Sequence, residues 1–294
     1  MANLRDIRDR ISSVKNTQQI TKAMKMVAAA RLKKAQDRIM AARPYSFKMK
    51  EIITRLVANS DLNLSLLQPR KETNRVLFLI IGSDRGLCGG FNNNLFKVIE
   101  QEISENYAAH HQNDTLDLIC VGDKPYRHFR NRNYNIVDKH IGFFDSLNFE
   151  STAQIMRDVV SDYTSGKYDK VILCFNEFKS VISQNRIVEQ VLPINENFNS
   201  DNAEEIPEID YIFEPEPREI LEVLLPRFLN VQLWRAVLES YGSEQGARMA
   251  AMDNATENAS EILHDLNLKY NQARQAAITT ELSEIVSGAN ALEE

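Results

Sequence analysis

The sequence predicts an α/β domain with a mainly parallel sheet, flanked by two long helices that pair with each other as an antiparallel coiled coil. Near both ends of the 294-residue chain, apolar residues recur at alternating spacings of three and four. This repeat is typical of a coiled-coil seam. Between the two ends, short apolar runs alternate with helical patterns, which indicates a parallel sheet covered by helices on both faces.

The N-terminal segment, residues 1–57, is predicted to form one coiled-coil helix. It contains no glycine, and Pro44 is the one position at which we expect a kink. At 1.5 Å per residue the helix is roughly 80 Å long, which is more than one globular domain can bury, so it needs a partner helix. Its seam residues are Leu4, Ile7, Ile11, Val14, Gln18, Thr21, Lys25, Ala28, Leu32, Ala35, Ile39 and Ala42.

The C-terminal segment, residues 216–294, is predicted to form the second coiled-coil helix, roughly 110 Å long at 1.5 Å per residue. Because it is the longer of the two, we expect part of it to extend beyond its partner. Its seam is weakest at Arg235, Gly242 and Gln245, and Pro226 is expected to kink or restart the helix. The seam residues are Leu221, Leu224, Phe228, Val231, Arg235, Leu238, Gly242, Gln245, Met249, Met252, Thr256, Ala259, Leu263, Leu266, Tyr270, Ala273, Ala277 and Thr280.

The middle segment, residues 75–195, is predicted to form the α/β domain. Helices are expected from Phe91 to about His111, over Pro125–Arg132 and over Ser151–Thr164. An acidic connector, residues 196–215, leads to the last helix, and residues 201–222 hold nine Asp or Glu residues against one Arg. The predicted strands are Arg75–Ile81, Leu116–Val121, Asn135–Lys139, Lys170–Phe175 and Arg186–Leu192.

Charge is distributed unevenly along the chain. The net charge is −6, yet residues 1–56 contain 14 Lys or Arg residues and only 4 Asp or Glu residues. A basic arm on an acidic body indicates an anionic partner for the arm. The three cysteines form no CxxC pair, which argues against a disulfide framework or a zinc site. No run of about 18 apolar residues occurs, so no transmembrane segment is predicted.

A glycine-rich loop, Ser83–Gly90, follows the first predicted strand and invites comparison with a dinucleotide site. Its glycines do not have the GxGxxG spacing, and Asp123 lies far beyond the roughly 20 residues expected for a ribose-binding acid. We interpret the loop as a tight turn with a positive φ at Gly86 or Gly89. The sequence also lacks a phosphate-binding P-loop, HExxH and GxSxG. We therefore expect no catalytic residue, no cofactor and no metal site.

Two other classes of function remain as alternatives. A nucleotide-binding enzyme module would need a competent phosphate loop. A coiled-coil protein that binds nucleic acid would use the basic N-terminal helix, and its affinity would fall steeply with salt. Against the second class, the apolar seam is complete, and only Tyr45 and Phe47 supply aromatic rings for stacking on bases in this segment.

Three stretches of the chain resemble the gamma subunits of F-type, rotary ATP synthases of the bacterial type. The first runs from NLRDIRDRI at Asn3 through NTQQITKAMKMV, which ends at Val27. The second is SDRGLCGGFN, starting at Ser83. The third starts with SEQGARM at Ser243 and ends with YNQARQAAITTELSEIVSG at Gly288. The resemblance covers the whole chain in order.

The resemblance implies a Rossmann-like α/β domain with an antiparallel coiled coil of the terminal helices. It implies a non-catalytic central-stalk rotor that couples proton flow through the membrane to ATP synthesis and helps to regulate ATPase activity. The implied partners are the alpha and beta subunits of the catalytic head, the epsilon subunit and the membrane c-ring. The implied location is peripheral, on the cytoplasmic face of the bacterial inner membrane. No cysteine pair occurs in the connector, so thiol-controlled regulation is not expected.

The resemblance also assigns contact residues. Met24 and Lys25 correspond to residues that face an acidic loop of the head. The residues that correspond to contacts with the inner loops of the head are Arg274, Gln275, Thr279 and Glu281.

The apolar residues near the end of the second helix suggest a bearing. Ile278, Leu282, Ile285, Val286 and Leu292 have no coil partner if the first helix is shorter, so we expect the head to cover them. From its acidity and its place before the long helix, we expect the connector, including Tyr211 and Phe213, to lie on the side of the epsilon subunit and the membrane ring.

The isolated chain is expected to hydrolyse no ATP, because it lacks a phosphate loop and a constellation of catalytic carboxylates. Phosphate release by the purified chain measures this. Turnover that survives removal of contaminating ATPase would contradict the prediction.

Overall fold

A computed structural model describes residues 4–58, 64–70, 72–181, 183–194, 214 and 216–293 of the chain. Within these residues a short 3-10 helix, Phe143–Ser146, accompanies the regular elements. The α-helices are α1 (Leu4–Ala58), α2 (Phe91–Asn106), α3 (Ala108–Gln112), α4 (Asp123–Arg130), α5 (Phe149–Thr164) and α6 (Pro217–Glu293). The strands are β1 (Val76–Ile81), β2 (Leu116–Val121), β3 (Asn135–His140), β4 (Lys170–Phe178) and β5 (Gln184–Leu192).

The chain divides into two compact units, and α1 and α6 contribute residues to both. The first unit joins Met1–Ala28 with Arg248–Glu294, and the second comprises Ala29–Ala247. The first is a pair of helices. The second contains the sheet, its covering helices and the remaining parts of α1 and α6.

The sheet of the second unit has the strand order β3-β2-β1-β4-β5. Strand β1 pairs in parallel with β2 and with β4, and β3 pairs in parallel with β2. Strand β5 runs antiparallel to β4, to which it is joined by a short connection. The chain moves outward from β1 to β2 and β3 and then returns to the other side of β1 with β4. The carboxyl ends of β1 and β4 therefore form the point at which the winding direction reverses, where ligands bind in doubly wound sheets.

Both faces of the sheet are buried, and β1 shows why its sequence is apolar throughout. Leu77, Leu79 and Ile81 belong to one hydrophobic cluster, which also takes residues from α1, α5 and α6. The alternate residues Val76, Phe78 and Ile80 belong to a second cluster with α2 and the end of α4. Successive side chains of a strand point to opposite faces, so a strand covered on both sides needs an apolar residue at every position.

The first unit pairs α1 and α6 antiparallel. Residues that rise in number along α1 contact residues that fall in number along α6, from Arg8 with Tyr270 to Lys25 with Asp253. All twelve predicted seam residues of α1 are buried or half-buried. Along α6 the predicted seam positions are also buried or half-buried, except for Arg235, Ala277 and Thr280. The three/four repeat therefore marks the surface that each helix buries.

Three local expectations differ from the structure. The helix predicted from Phe91 to about His111 is divided at Tyr107, whose φ is −133° and whose buried ring contacts Phe78 edge-on at 5.4 Å. Gly242 and Gln245, predicted as weak seam positions, are buried. Helix α6 runs through Pro226 without restarting. The lost backbone hydrogen bond is tolerated there because Leu225 and Leu229, on either side of the proline, are buried in the core.

Replacement of Leu32 by Asp is expected to destabilise the chain by more than about 3 kcal/mol, because it removes apolar burial and places a carboxylate on the buried seam. Leu32 is 5% exposed, whereas Met40 on the same helix is 57% exposed. Met40→Asp is therefore the matched control and should change stability little. Thermal unfolding of both variants measures the difference, and equal melting temperatures would show that the seam is assigned to the wrong face.

Candidate functional site

The paired part of the first unit carries polar contacts across its seam. Arg8 Nη2 donates to Tyr270 Oη at 2.8 Å, and Gln18 Nε2 donates to Ser260 Oγ at 2.6 Å. The hydroxyl groups of Thr21 and Thr256 are hydrogen-bonded at 2.8 Å. The hydrogen bond from Arg8 lowers the pKa of Tyr270. Because each pair must align, these contacts specify one register between the two helices.

Met24 and Lys25 lie within this paired part. Lys25 forms an ion pair with Asp253 across the seam, and about a third of its side chain remains exposed (38%). Met24 is half-buried beside it, and the neighbouring Met26 and Val27 are exposed. Lys25 thus serves the register of the helices and also presents a cation next to an apolar strip. The basic charge predicted for this arm is displayed on its surface.

Past Ala273, helix α6 changes character. Every residue from 274 to 288 is exposed, and we call this stretch the exposed end of α6. Four large apolar side chains of the exposed end, at 50–63% exposure, have no cover among the residues that the structure describes. They are Ile278, Leu282, Ile285 and Val286. Soluble proteins usually cover a contiguous apolar surface of this kind, so the exposed end indicates a partner.

The exposed end has three faces. Each residue turns an α-helix by about 100°, so Ile278, Leu282 and Ile285 fall on one narrow stripe. Arg274 and Glu281 lie along one side of this stripe. Thr279 lies along the other side, and its hydroxyl donates to the Gln275 carbonyl at 2.9 Å. The stripe is therefore flanked by groups that can make directional polar contacts.

The structure separates the predicted contact residues into two groups. The partner of Lys25, Asp253, lies 21 positions before Arg274 on α6, a distance of about 30 Å along the helix. Met24 and Lys25 are therefore not brought together with the exposed end. Tyr211, Phe213 and the side chain of Leu292 lie outside the described residues.

The glycine-rich loop of the α/β domain is held by its own side chains. Asn92 accepts a hydrogen bond from Ser83 N at 3.1 Å and donates to Ser83 Oγ at 2.8 Å. Gly89 has a φ of 58°, as predicted for one of the two glycines, and Leu87 has a φ of 63°. The Asp84 carboxylate accepts from backbone N–H groups of Asp123, Gly142 and Phe144. The loop is thus a turn fixed by capping hydrogen bonds.

Helix α6 covers the carboxyl ends of β1 and β4, where a doubly wound sheet would bind a nucleotide. Ser240 Oγ donates to the Ile81 carbonyl at 3.3 Å, and Glu239 Oε2 accepts from Phe178 N at 3.2 Å. Ser240 and Glu239 are each 1% exposed. The crevice of the sheet is therefore occupied by side chains of the protein itself.

Sequence reasoning missed the polar part of α6 that fills this crevice. Glu239, Ser240, Ser243, Glu244 and Gln245 are all buried, although residues of these types are mostly exposed in proteins. A signal was present in the four-residue spacing of Gly242 and Gly246, which permits close approach of a helix. Near this part of α6, Gln232 donates to Glu189 on β5, and burial raises the pKa of Glu189.

The described residues contain no group of three or more His, Cys, Asp or Glu side chains that could hold a metal ion. No helix in the same part of the chain has the length and apolarity needed to cross a membrane.

Known proteins decide the family. The profile described as "ATP synthase" matches residues 3–292. The ATP synthase gamma chain of Chlorobaculum parvum is 50% identical over 295 residues, covering 100% of both chains. That of Salinibacter ruber is 48% identical over 306 residues, covering 100% of this chain and 99% of the relative. The chain belongs to the ATP synthase gamma-chain family.

Solved structures of ATP synthases share the fold of this gamma-family chain. The rotor of the Euglena gracilis mitochondrial ATP synthase matches with a TM-score of 0.63 at 20% identity, covering 94% of this chain and 98% of that one. The central stalk and c-ring structure of the Tetrahymena thermophila enzyme matches with a TM-score of 0.58 at 24% identity, covering 80% and 99%. The predicted fold class, a Rossmann-like α/β domain with a coiled coil of the terminal helices, is confirmed.

Lys25→Ala is expected to lower the stability of the chain by at most about 1 kcal/mol, because half-exposed ion pairs contribute little. Denaturant unfolding of the parent, Lys25→Ala, Asp253→Ala and the double variant measures the coupling of the pair. A coupling well above this value would show that Lys25 is chiefly a structural residue and would weaken its assignment as a contact for a partner.

Proposed function

We propose that the chain is the rotating central shaft of a proton-driven ATP synthase and has no active site of its own. The observation that carries the proposal is the exposed end of α6, an uncovered apolar stripe flanked by polar groups, on a helix whose preceding part is paired. A partner that surrounds this end supplies the missing cover. The relatives at about 50% identity are named ATP synthase gamma chains, which supports the catalytic head of the synthase as that partner.

The shaft works by presenting different side chains to each catalytic subunit as it turns. A ring of identical sites around an asymmetric axle meets a different surface at each position. The shaft changes the state of a site only by the difference in contact free energy between the open and closed states. Rotation driven by proton flow thus drives ATP synthesis. Contacts between the shaft and the head also help to regulate the ATPase activity of the complex.

Directional contacts suit the transmission of force to the head. Lys25, with Met24 beside it, presents a cation to an acidic loop of the head. Arg274, Gln275, Thr279 and Glu281 engage the inner loops of the alpha and beta subunits. The basic surface of the arm supports this assignment, since Asp and Glu side chains on the head complement it.

The apolar stripe suits a bearing. The stripe of Ile278, Leu282 and Ile285, with Val286 beside it, is covered by an apolar collar in the head. Apolar contacts are non-directional, so such a collar permits rotation without breaking a fixed ion pair at each step.

The remaining parts of the chain serve the membrane side. Residues 75–195 form the α/β domain, and residues 196–215 connect it to the second coiled-coil helix, 216–294, which pairs with helix 1–57. We assign Tyr211 and Phe213 of the connector to contacts with the epsilon subunit and the c-ring. The complex lies on the cytoplasmic face of the bacterial inner membrane, with this chain as a peripheral subunit.

Cysteines placed in the connector test its assignment to the epsilon subunit and the c-ring. Crosslinks that reach only head subunits would refute this assignment.

Co-purification with the catalytic head is the direct test of the proposed function. A tagged chain should bring down alpha and beta subunits in a complex that hydrolyses ATP. Vesicles that contain the complete complex should synthesise ATP from a proton gradient. If the complex remains intact and functional after this chain is deleted, the proposal is wrong.

Deletion of Ala289–Glu294 is expected to leave coupling largely intact and to reduce mainly the yield of complex, because Ile278, Leu282, Ile285 and Val286 stay in place. A longer deletion, beginning at Ile278, removes the stripe and should abolish most synthesis. Proton-driven ATP synthesis per assembled complex measures both. If the short deletion abolishes synthesis in otherwise complete complexes, the end of the helix belongs to the drive and the bearing assignment is wrong.

A further inference from the structure

The buried polar stretch of α6 has no role in the contacts assigned to the head. We call residues 232–246 the anchor segment, because this part of α6 lies against the sheet. It occupies the crevice at the carboxyl ends of β1 and β4, where doubly wound domains bind ligands. The α/β domain therefore holds a helix of its own chain in the place of a ligand.

Glu239 is the centre of the anchor segment. Its Oε2 accepts a hydrogen bond from Phe178 N, at the end of β4, at 3.2 Å. Its Oε1 lies 3.4 Å from Arg43 Nη2 on α1. The Glu239 side chain is 1% exposed, whereas the Arg43 side chain is 61% exposed, so the carboxylate is buried and the guanidinium faces water. One carboxylate thus connects α6 with the sheet and with α1.

Further polar contacts follow the same line. Gln232 Nε2 donates to Glu189 Oε1 on β5 at 3.3 Å, and Arg235 Nη2 lies 3.2 Å from Glu177 Oε1 on β4. Positions 232, 235 and 239 are spaced by three and four, so they share one face of the helix. This face of α6 is therefore hydrogen-bonded along the β4–β5 pair at successive turns.

Two glycines bring the helix close to its neighbours. A Cβ at Gly246 would lie 3.4 Å from the ring of Phe178 and 3.5 Å from the backbone of Val181. A Cβ at Gly242 would lie 3.4 Å from Ile39 Cδ1 on α1. These are van der Waals distances, so the two positions leave room for little more than a methyl group.

Buried hydrogen bonds add a directional constraint to the apolar packing of α6. Close packing of the buried side chains resists a turn of the helix, and a hydrogen bond in addition fixes the angle at which the helix sits. A turn of α6 at the anchor segment would leave the Glu239 carboxylate buried without its partner Phe178 N, which is strongly unfavourable.

We infer that Glu239 is the positioning residue through which torque passes between the α/β domain and α6. The inference rests on the proposed function, since torque matters only in a chain that turns. This carboxylate attaches α6 to the α/β domain, which faces the membrane ring, and α6 is held in the crevice of the sheet. Loss of the carboxylate weakens this attachment, while the catalytic sites of the head stay complete.

The test uses the complete complex in vesicles with the parent chain, Glu239→Ala and Glu239→Gln. The glutamine keeps an oxygen that accepts the hydrogen bond from Phe178 N, so it is the rescue variant. The matched control is Glu222→Ala, which removes an exposed glutamate that pairs with Arg218 on the same helix. The quantity measured is the number of protons pumped per ATP hydrolysed, together with the yield of assembled complex.

We expect Glu239→Ala to lower the protons pumped per ATP at least five-fold in assembled complexes, while Glu239→Gln and Glu222→Ala stay within two-fold of the parent. An unchanged ratio in Glu239→Ala overturns the inference. So does a loss of yield with an unchanged ratio in the complexes that remain, because Glu239 is then only a stabilising residue. If the parent chain itself supports no proton pumping, the proposed function fails, which is a different result from failure of the anchor alone.

Discussion

Neither terminal helix can bury its apolar seam by itself, and the rest of the structure depends on the pairing of the two helices. Helices α1 and α6 have 55 and 77 residues, and propensity alone does not stabilise helices of this length with an apolar stripe in water. Antiparallel pairing buries both seams. Because α6 has more residues, pairing leaves its exposed end for another protein. The chain is thus built to be incomplete by itself.

The same helix fills the crevice in which a doubly wound sheet binds a nucleotide. In doubly wound sheets the crevice at the reversal of winding is open to ligands. Here Glu239 accepts a hydrogen bond from Phe178 N and Ser240 donates one to the Ile81 carbonyl, at the ends of β4 and β1. The glycine-rich loop, which invites comparison with a dinucleotide site, is fixed by hydrogen bonds of Asn92 and Asp84. The crevice that binds ligands in other doubly wound sheets is therefore filled in this chain by helix α6.

Features that depend on local periodicity could be predicted from the sequence, and features that depend on distant contacts could not. The seam from Leu4 to Ala42 follows from the spacing of its apolar residues, and the burial of both faces of β1 follows from its unbroken apolar run. The burial of Gln245 and Glu239 was not foreseen, because polar residues are usually exposed and only the folded sheet supplies their surroundings. The break at Tyr107 likewise depends on the ring of Phe78. The polar contact residues at the exposed end came from family resemblance, and the apolar bearing residues came from their place beyond the shorter helix. The structure adds that Ile278, Leu282 and Ile285 form one stripe.

Observation of single complexes tests the central claim, that this chain turns within the head, most directly. The head is fixed to a surface through its beta subunits, and a probe is attached to a cysteine at position 137. Val137 on the edge strand β3 is exposed, whereas Cys88, Cys120 and Cys174 are buried, so labelling is selective. The account predicts continuous rotation of the probe in one direction when ATP is added. A probe that stays at a fixed angle while the same complexes hydrolyse ATP would contradict it.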